Sequence, residues 1–229
     1  MKAAARAPSS FSTMVRAWQH WLSPRPKYRT NISNQSSFVT AGNAARFDIL
    51  DEKDGRWGLR ETHFVDNPIV RAGKSGPPLH IHLLQDEYFQ VESGVLGAIT
   101  DNKQHAITKD DGVLCIKAGT RHRFWSASPT ESLVFHGWAN PQDKQNILDE
   151  NFLRNLQGYM ADCHREGLKP SIFQLALFSY EASTLGTPPF WVPMSILIAV
   201  NHVLAYWIAA GLLGYKASYP EYTVKPRSE

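Results

Sequence analysis

Between residues 45 and 138 the chain is divided into short runs of β-prone residues, most of them closed by a turn signal. Candidate strands fall at 45–50, 57–64, 68–71, 79–83, 86–92, 95–100, 104–108, 112–116, 121–126 and 131–138. The separators include Asp54-Gly55, Asp66-Asn67-Pro68, Gly76-Pro77-Pro78, Ser93-Gly94, Asp101-Asn102 and Asp110-Asp111-Gly112. These residue types accept the backbone angles that tight turns require. Runs this short are strand length rather than helix length. Many short strands joined by tight turns predict an all-β sandwich or barrel. The expected organisation is a basic leader and linker over 1–42, a barrel over 43–140 and a helical C-terminal extension over 141–229.

Within that region His80 and His82 stand two apart, Glu87 follows five later, and His122 comes from a separate segment. On a strand, residues i and i+2 share a face, so the first two imidazoles project side by side. A bend or bulge before Glu87 brings in its carboxylate, and a neighbouring strand delivers His122. Three imidazoles and one carboxylate make a site for one divalent transition metal, with Fe, Mn, Ni, Cu and Zn all admissible. A closed structural zinc site usually includes thiolates. The two cysteines, Cys115 and Cys163, form neither a Cys-x2-Cys pair nor a disulfide framework. Their scarcity fits a reducing compartment. Cys115 is expected to be a small buried hydrophobe or to line the barrel.

The spacing His-x-His-x4-Glu-x6-Gly, here His80, His82, Glu87 and Gly94, resembles the first motif of the cupin family. The second cupin motif, Gly-x5-Pro-x-Gly-x2-His, is matched at Gly119 and His122. It departs at Asp111, where glycine is expected although Gly112 is adjacent, and at Lys117, where proline is expected. The resemblance covers roughly residues 57–140. It implies a small antiparallel cupin barrel, or jelly roll, with a metal near its centre. It also implies an enzyme acting on a small organic substrate, with an Fe(II)- and O2-dependent oxidoreductase of dioxygenase type favoured. Alternatives are an isomerase or cyclase that uses the metal as a Lewis acid, and a non-catalytic, membrane-tethered binding protein. Cupins often dimerise, which implies a homodimer. The basic leader and apolar tail resemble small cupin proteins of fungal natural-product biosynthesis, and an apolar pocket lining would suit a small aromatic, polyketide or terpenoid substrate.

Alternation extends the site. If Glu87 points inward, so do Phe89 and Val91, while Tyr88 and Gln90 face away. If His122 points inward, so does Phe124. Phe89, Val91 and Phe124 are the candidate substrate-binding wall. Arg121 and Arg123 fall on the opposite face, where solvation is expected. His136 is the candidate general acid or base, because an unperturbed imidazole titrates near neutrality; the alternative is a bystander. Arg60 and His63 take no face from the pattern.

The charge is unevenly distributed. Residues 1–47 hold seven cationic side chains and no Asp or Glu, although the chain's net charge is only +3. No nucleic-acid-binding module is recognisable, and nucleic acid is not an expected partner. Residues 10–22 show helical spacing of Phe11, Met14, Val15, Trp18 and Leu22, stopped by Pro24 and Pro26. Such a leader suits a mitochondrial transit peptide, a membrane-surface helix or a helix packed on the barrel. Residues 28–42 are polar and read as a linker. A helix is expected over 144–165 and a short apolar segment over 171–180, before the uncharged segment Met194–Tyr215. That segment is long enough for one membrane span, its flanking aromatics suit the interfaces, and the alternative is a hairpin broken near Asn201. The expected location is intracellular and membrane-associated, with cytoplasmic and mitochondrial placement as alternatives.

Overall fold

The computed structural model describes residues 17–51 and 57–224. Eleven antiparallel strands form two facing sheets. The six-stranded sheet runs β1 (Ser37–Val39), β2 (Ala45–Asp51), β3 (Trp57–His63), β10 (Leu133–Asn140), β5 (Asp86–Ser93), β8 (Val113–Ile116). The five-stranded sheet runs β11 (Thr184–Gly186), β4 (His80–His82), β9 (His122–Ser126), β6 (Leu96–Thr100), β7 (Lys103–Ile107). Phe89, Val91, Leu133 and Phe135 from the first sheet meet Leu96, Ala98 and Phe124 from the second in one buried core. This is the expected cupin jelly roll.

The period-two pattern produces this core directly. Burial alternates along the whole of β10, with Leu133, Phe135, Gly137 and Ala139 inside. The residues between them lie on the outer face, which is how a half-buried antiparallel strand reads. Nine of the expected strand segments form strands. The run at 68–71 does not: Pro68–Arg71 is a single helical turn, α2. Proline at the first helical position needs no hydrogen bond from its nitrogen, and the Asn67 side chain accepts from the Ile69 N–H at 2.9 Å.

The expected linker is built into the fold. Strand β1 lies inside it and pairs with β2. The Thr30 amide and hydroxyl donate to the buried Asp162 carboxylate at 2.8 and 2.6 Å, and the Ile32 amide donates to the Glu221 carbonyl at 2.9 Å. Of the leader, the described part is α1 (Ala17–Leu22); residues 1–16 lie outside the described residues.

Three helices follow the barrel. Asp149 caps α3 (Glu150–Arg165) by accepting from the Phe152 N–H at 2.7 Å, so the helix starts later than its apolar pattern, which includes Ile147 and Leu148. Leu153 of α3 packs with Phe38, Phe47 and Leu59 on the first sheet. Then come α4 (Ile172–Glu181) and α5 (Met194–His202), which continues as a π-helix through Val203–Leu212. Between α4 and α5 lies β11, hydrogen-bonded along β4. The segment after residue 140 therefore contributes an edge strand to the barrel.

Candidate metal centre

Strand β4 carries two of the four candidate ligands and sits between β11 and β9. His80 pairs in register with His122 of β9, and His82 pairs with Thr184 of β11. Glu87 comes from β5 in the facing sheet. The intervening bend is held by Gln85, whose side chain is almost fully buried. Its amide nitrogen donates to the Pro141 carbonyl at 2.9 Å and the Leu148 carbonyl at 3.2 Å, and its oxygen accepts from the Leu148 N–H at 2.7 Å.

The turn before His122 departs from the cupin motif in sequence but not in effect. Gly119 adopts φ +84°, a left-handed conformation that a side chain would strain, and its N–H donates to the His82 carbonyl at 2.8 Å. Lys117, in the expected proline position, reaches Asp86 at 2.8 Å. Asp111 forms a capping box with Thr108, and the adjacent Gly112 takes the positive φ of 75°.

The four side chains converge: one ligand atom from each lies within 4.8 Å of all the others. All three imidazoles are buried. His80 Nδ1 donates to the Pro78 carbonyl at 2.9 Å, and His122 Nδ1 donates to the Thr120 carbonyl at 3.0 Å. His82 Nδ1 meets Thr184 Oγ1 at 2.9 Å, and that hydroxyl donates to the Ala182 carbonyl at 3.2 Å. With the hydroxyl proton so used, His82 Nδ1 is the donor. Each Nδ1–H is thereby committed outward, and the three Nε2 atoms face one another. Outward anchoring of this kind orients metal-binding histidines.

The Nε2 atoms of His80 and His82 are 3.2 Å apart. Both rings already donate through Nδ1, so in their neutral forms two lone pairs oppose each other across that gap. Burial, then the neighbouring His122 and His82, pushes the His80 pKa down to about 3, which keeps this ring neutral. Burial raises the Glu87 carboxyl, but the hydrogen bond from His122 and the neighbouring His82 imidazole outweigh it and hold the group well below the usual carboxylate range. Burial lowers His122, but Glu87 at 2.9 Å outweighs it and raises the ring above its ordinary value. Facing lone pairs beside an ionised carboxylate fit a divalent cation.

Phe89, Val91 and Phe124 point inward, as alternation requires, and belong to the packed core. Phe89 lies two residues from Glu87 and Phe124 two from His122, and their ring centroids are 4.8 Å apart. His136 does not join the cluster. It alternates with buried Phe135 and Gly137, shares the outer face of β10 with Trp138, and packs on that ring at 5.0 Å. His136 thus lies apart from the four candidate ligands, on the opposite face of its strand from the core. Cys115 is exposed rather than buried, because β8 turns that residue to the outer face with Tyr88, its partner across β5. Arg121 and Arg123 are half-buried rather than freely solvated. Arg121 donates to the Pro188 carbonyl at 2.6 Å, and the Arg123 guanidinium lies 4.8 Å from the Trp125 ring centroid.

Two groups near the cluster escaped the sequence pattern. Thr184 is one. The other is a buried chain on β3: Glu61 Oε2 lies 2.8 Å from His63 Nε2, and His63 Nδ1 lies 2.7 Å from Ser75 Oγ. Burial pushes the Glu61 carboxyl up, opposed by its hydrogen bond to His63 and reinforced by the charge of Glu87. The two inward turns at 61 and 63 follow a buried Leu59, but a Glu and a His at those positions also match an exposed strand face.

No family model matches the chain. Among curated proteins, it is 55% identical over 214 residues to "Probable oxidoreductase virH" of Hypocrea virens, covering 93% of this chain and 97% of that protein. It is 59% identical over 205 residues to "Oxidoreductase iacF" of Pestalotiopsis fici, covering 88% of this chain and 100% of that protein. It is 36% identical over 222 residues to "Epoxidase atD" of Aspergillus terreus, covering 89% and 68%. Among solved structures, the Schizosaccharomyces pombe Cnp3 cupin domain aligns with a TM-score of 0.33 at 10% identity, over 55% of this chain and 72% of that one.

Proposed function

The chain belongs to the fungal oxidoreductase family that includes virH and iacF, and we propose that it is a metal-dependent oxidoreductase of small organic metabolites, using Fe(II) and dioxygen. The carrying observation is the cluster itself: three outward-anchored imidazoles whose Nε2 atoms converge on the Glu87 carboxylate. His80, His82, Glu87 and His122 would hold one divalent metal. When bound, Fe(II) would supply Lewis acidity and redox chemistry with oxygen. Mn, Ni, Cu and Zn suit the same ligands.

The chain's own residues set the surroundings. Pro78 and Thr120 carbonyls and Thr184 Oγ1 keep the three rings in the ligating tautomer. Phe89 and Phe124, one step along the strands from Glu87 and His122, and Val91, one step beyond Phe89, offer an apolar wall, which suits a polyketide or terpenoid substrate. The similarity to a protein named an epoxidase supports oxygen insertion over isomerisation; dioxygenase chemistry is the form proposed.

The test begins with metal content. Purified protein should carry, or take up on reconstitution, one metal ion per chain, and His80→Ala combined with His122→Ala should carry none. The iron-loaded protein should then consume oxygen in the presence of candidate metabolites and lose that activity when zinc replaces iron. No metal uptake by the wild type would defeat the proposal; product formed without oxygen would leave Lewis-acid chemistry instead.

A further inference from the structure

Among the described residues, one helix is long and apolar enough to cross a membrane, Met194–Leu212. Only 22% of that stretch is buried, which separates it from the core helix of a soluble protein. The buried side chains recur at every fourth position: Leu197, Asn201, Ala205, Ala209 and Leu213. Four residues of an α-helix overshoot one turn by about 40°. The wider π turns from Val203 onward offset that drift, so one narrow stripe stays on the neighbouring elements. Ala205, Ala209 and Leu213 pack on Leu177 of α4, and Leu197 packs on Ile81 and Leu185 of the barrel.

His202 and Tyr206 beside the stripe pack on Tyr180, and the Tyr206 hydroxyl donates to Glu181 at 2.6 Å; much of the remaining perimeter is apolar and open. Ile196 and Val200 are half exposed and Trp207 is 69% exposed. Trp191, just ahead of the helix, is 77% exposed. At the other end α1 adjoins the helix terminus, where Gln19 Nε2 donates to the Leu212 carbonyl at 2.9 Å, and it presents Trp21 at 81% exposure beside exposed Leu22. Soluble monomers rarely leave so much contiguous apolar surface uncovered. Tryptophans near both ends of an apolar face suit the headgroup boundary of a bilayer. Of the seven cations in residues 1–47, Arg25 is buried against Tyr215 and Arg46 pairs with Asp48; the other five, with no acid among those residues, complement an anionic lipid surface.

We infer that the outer face of Met194–Leu212, together with Trp21 and Leu22, docks the protein onto an anionic lipid surface with the helix lying in the interface. It lies there and does not span. Crossing the bilayer would lift the stripe off α4 and the barrel, uncovering Leu177, Leu185 and Ile81, each 1% exposed or less. This inference stands apart from the metal chemistry.

The test is flotation of the full chain with phosphatidylcholine vesicles, with and without a minority of phosphatidylserine. Binding should be stronger to the anionic vesicles and weaken with salt. Ile196→Glu combined with Trp207→Glu should cut binding by on the order of tenfold or more; both sites are exposed, so the variant should fold and keep the wild-type circular dichroism. Alkaline carbonate should release the bound protein. No flotation, flotation unchanged in the variant, or retention after carbonate would overturn the inference. So would a lipid-free dimer in analytical ultracentrifugation that the variant dissolves, since a second copy would then own this face.

Discussion

In β10 burial alternates through all eight residues, and inward Leu133 and Phe135 meet the facing sheet. In the helix at 194–212 burial recurs every fourth residue, and only 22% of the stretch is buried. Both segments are rich in apolar residues, yet one is core and the other is largely surface. A pleated strand has two faces, so its own pattern says which one is buried. A helix that is apolar all round has no such mark, and its seat is decided by α4 and the barrel wall.

That contrast predicts unequal costs for similar deletions. Phe135→Ala empties a site ringed by His63, Phe89 and Phe124 and should cost about 3–5 kcal/mol in urea unfolding. Trp207→Ala, at an exposed position, should change stability by no more than about 0.5 kcal/mol. A large loss at Trp207 would mean that its face is covered, and the comparison would break.

Thr184→Val tests whether the extension serves the site. Valine keeps the shape and removes the acceptor for His82 Nδ1. Metal affinity should fall by about 10–100-fold, as for other outer partners of ligating histidines, while the ligands remain. An unchanged affinity in a metal titration would make β11 only an edge strand. Gly158→Ala probes the packing of the helical layer itself. A methyl there would come within 2.6 Å of the Tyr222 ring, which is fully buried with its hydroxyl donating to Asp162 at 2.6 Å. A loss of about 1–3 kcal/mol is expected, measured by the same urea transition.

The smallest effect concerns the two interior carboxylates. Glu61 is raised above its ordinary 4.5, so the folded protein holds that proton more tightly than the unfolded chain. Its contribution falls as pH rises from 4.5 toward its folded value. Glu87 is depressed, so its contribution is present above 4.5 and is lost as pH falls toward its folded value. In metal-free protein, Glu61→Gln should flatten the first slope of urea midpoint against pH and leave the second. A variant that also loses the acid-side slope would show the two groups to be one coupled unit.

Much of the site was readable because its parts are local. His80, His82 and Glu87 lie within eight residues, and the strand period alone brings the first two together. Phe89 and Phe124 follow from the same alternation. The same alternation places His136: its residue type suggests chemistry, but its parity with Trp138 puts it on the outer face. Glu61 and His63 were illegible because a polar pair on a strand reads as a solvent face unless its partner, here Ser75, is known. The polar stretch 28–42 read as a linker because its stabilising partners, Asp162 and Glu221, lie more than a hundred residues away.

The sequence by itself determined the antiparallel barrel and the four candidate ligands, since both are written in a period of two and in turns of a few residues. Only the tertiary structure decided which way the rings face and where the apolar helix rests. His82 takes its Nδ1 acceptor from a threonine 102 residues later, and Leu197 finds its seat on Ile81 across a still longer span. Contacts of that separation leave no periodic trace along the chain; they exist only once the sheets have closed and β11 has paired with β4.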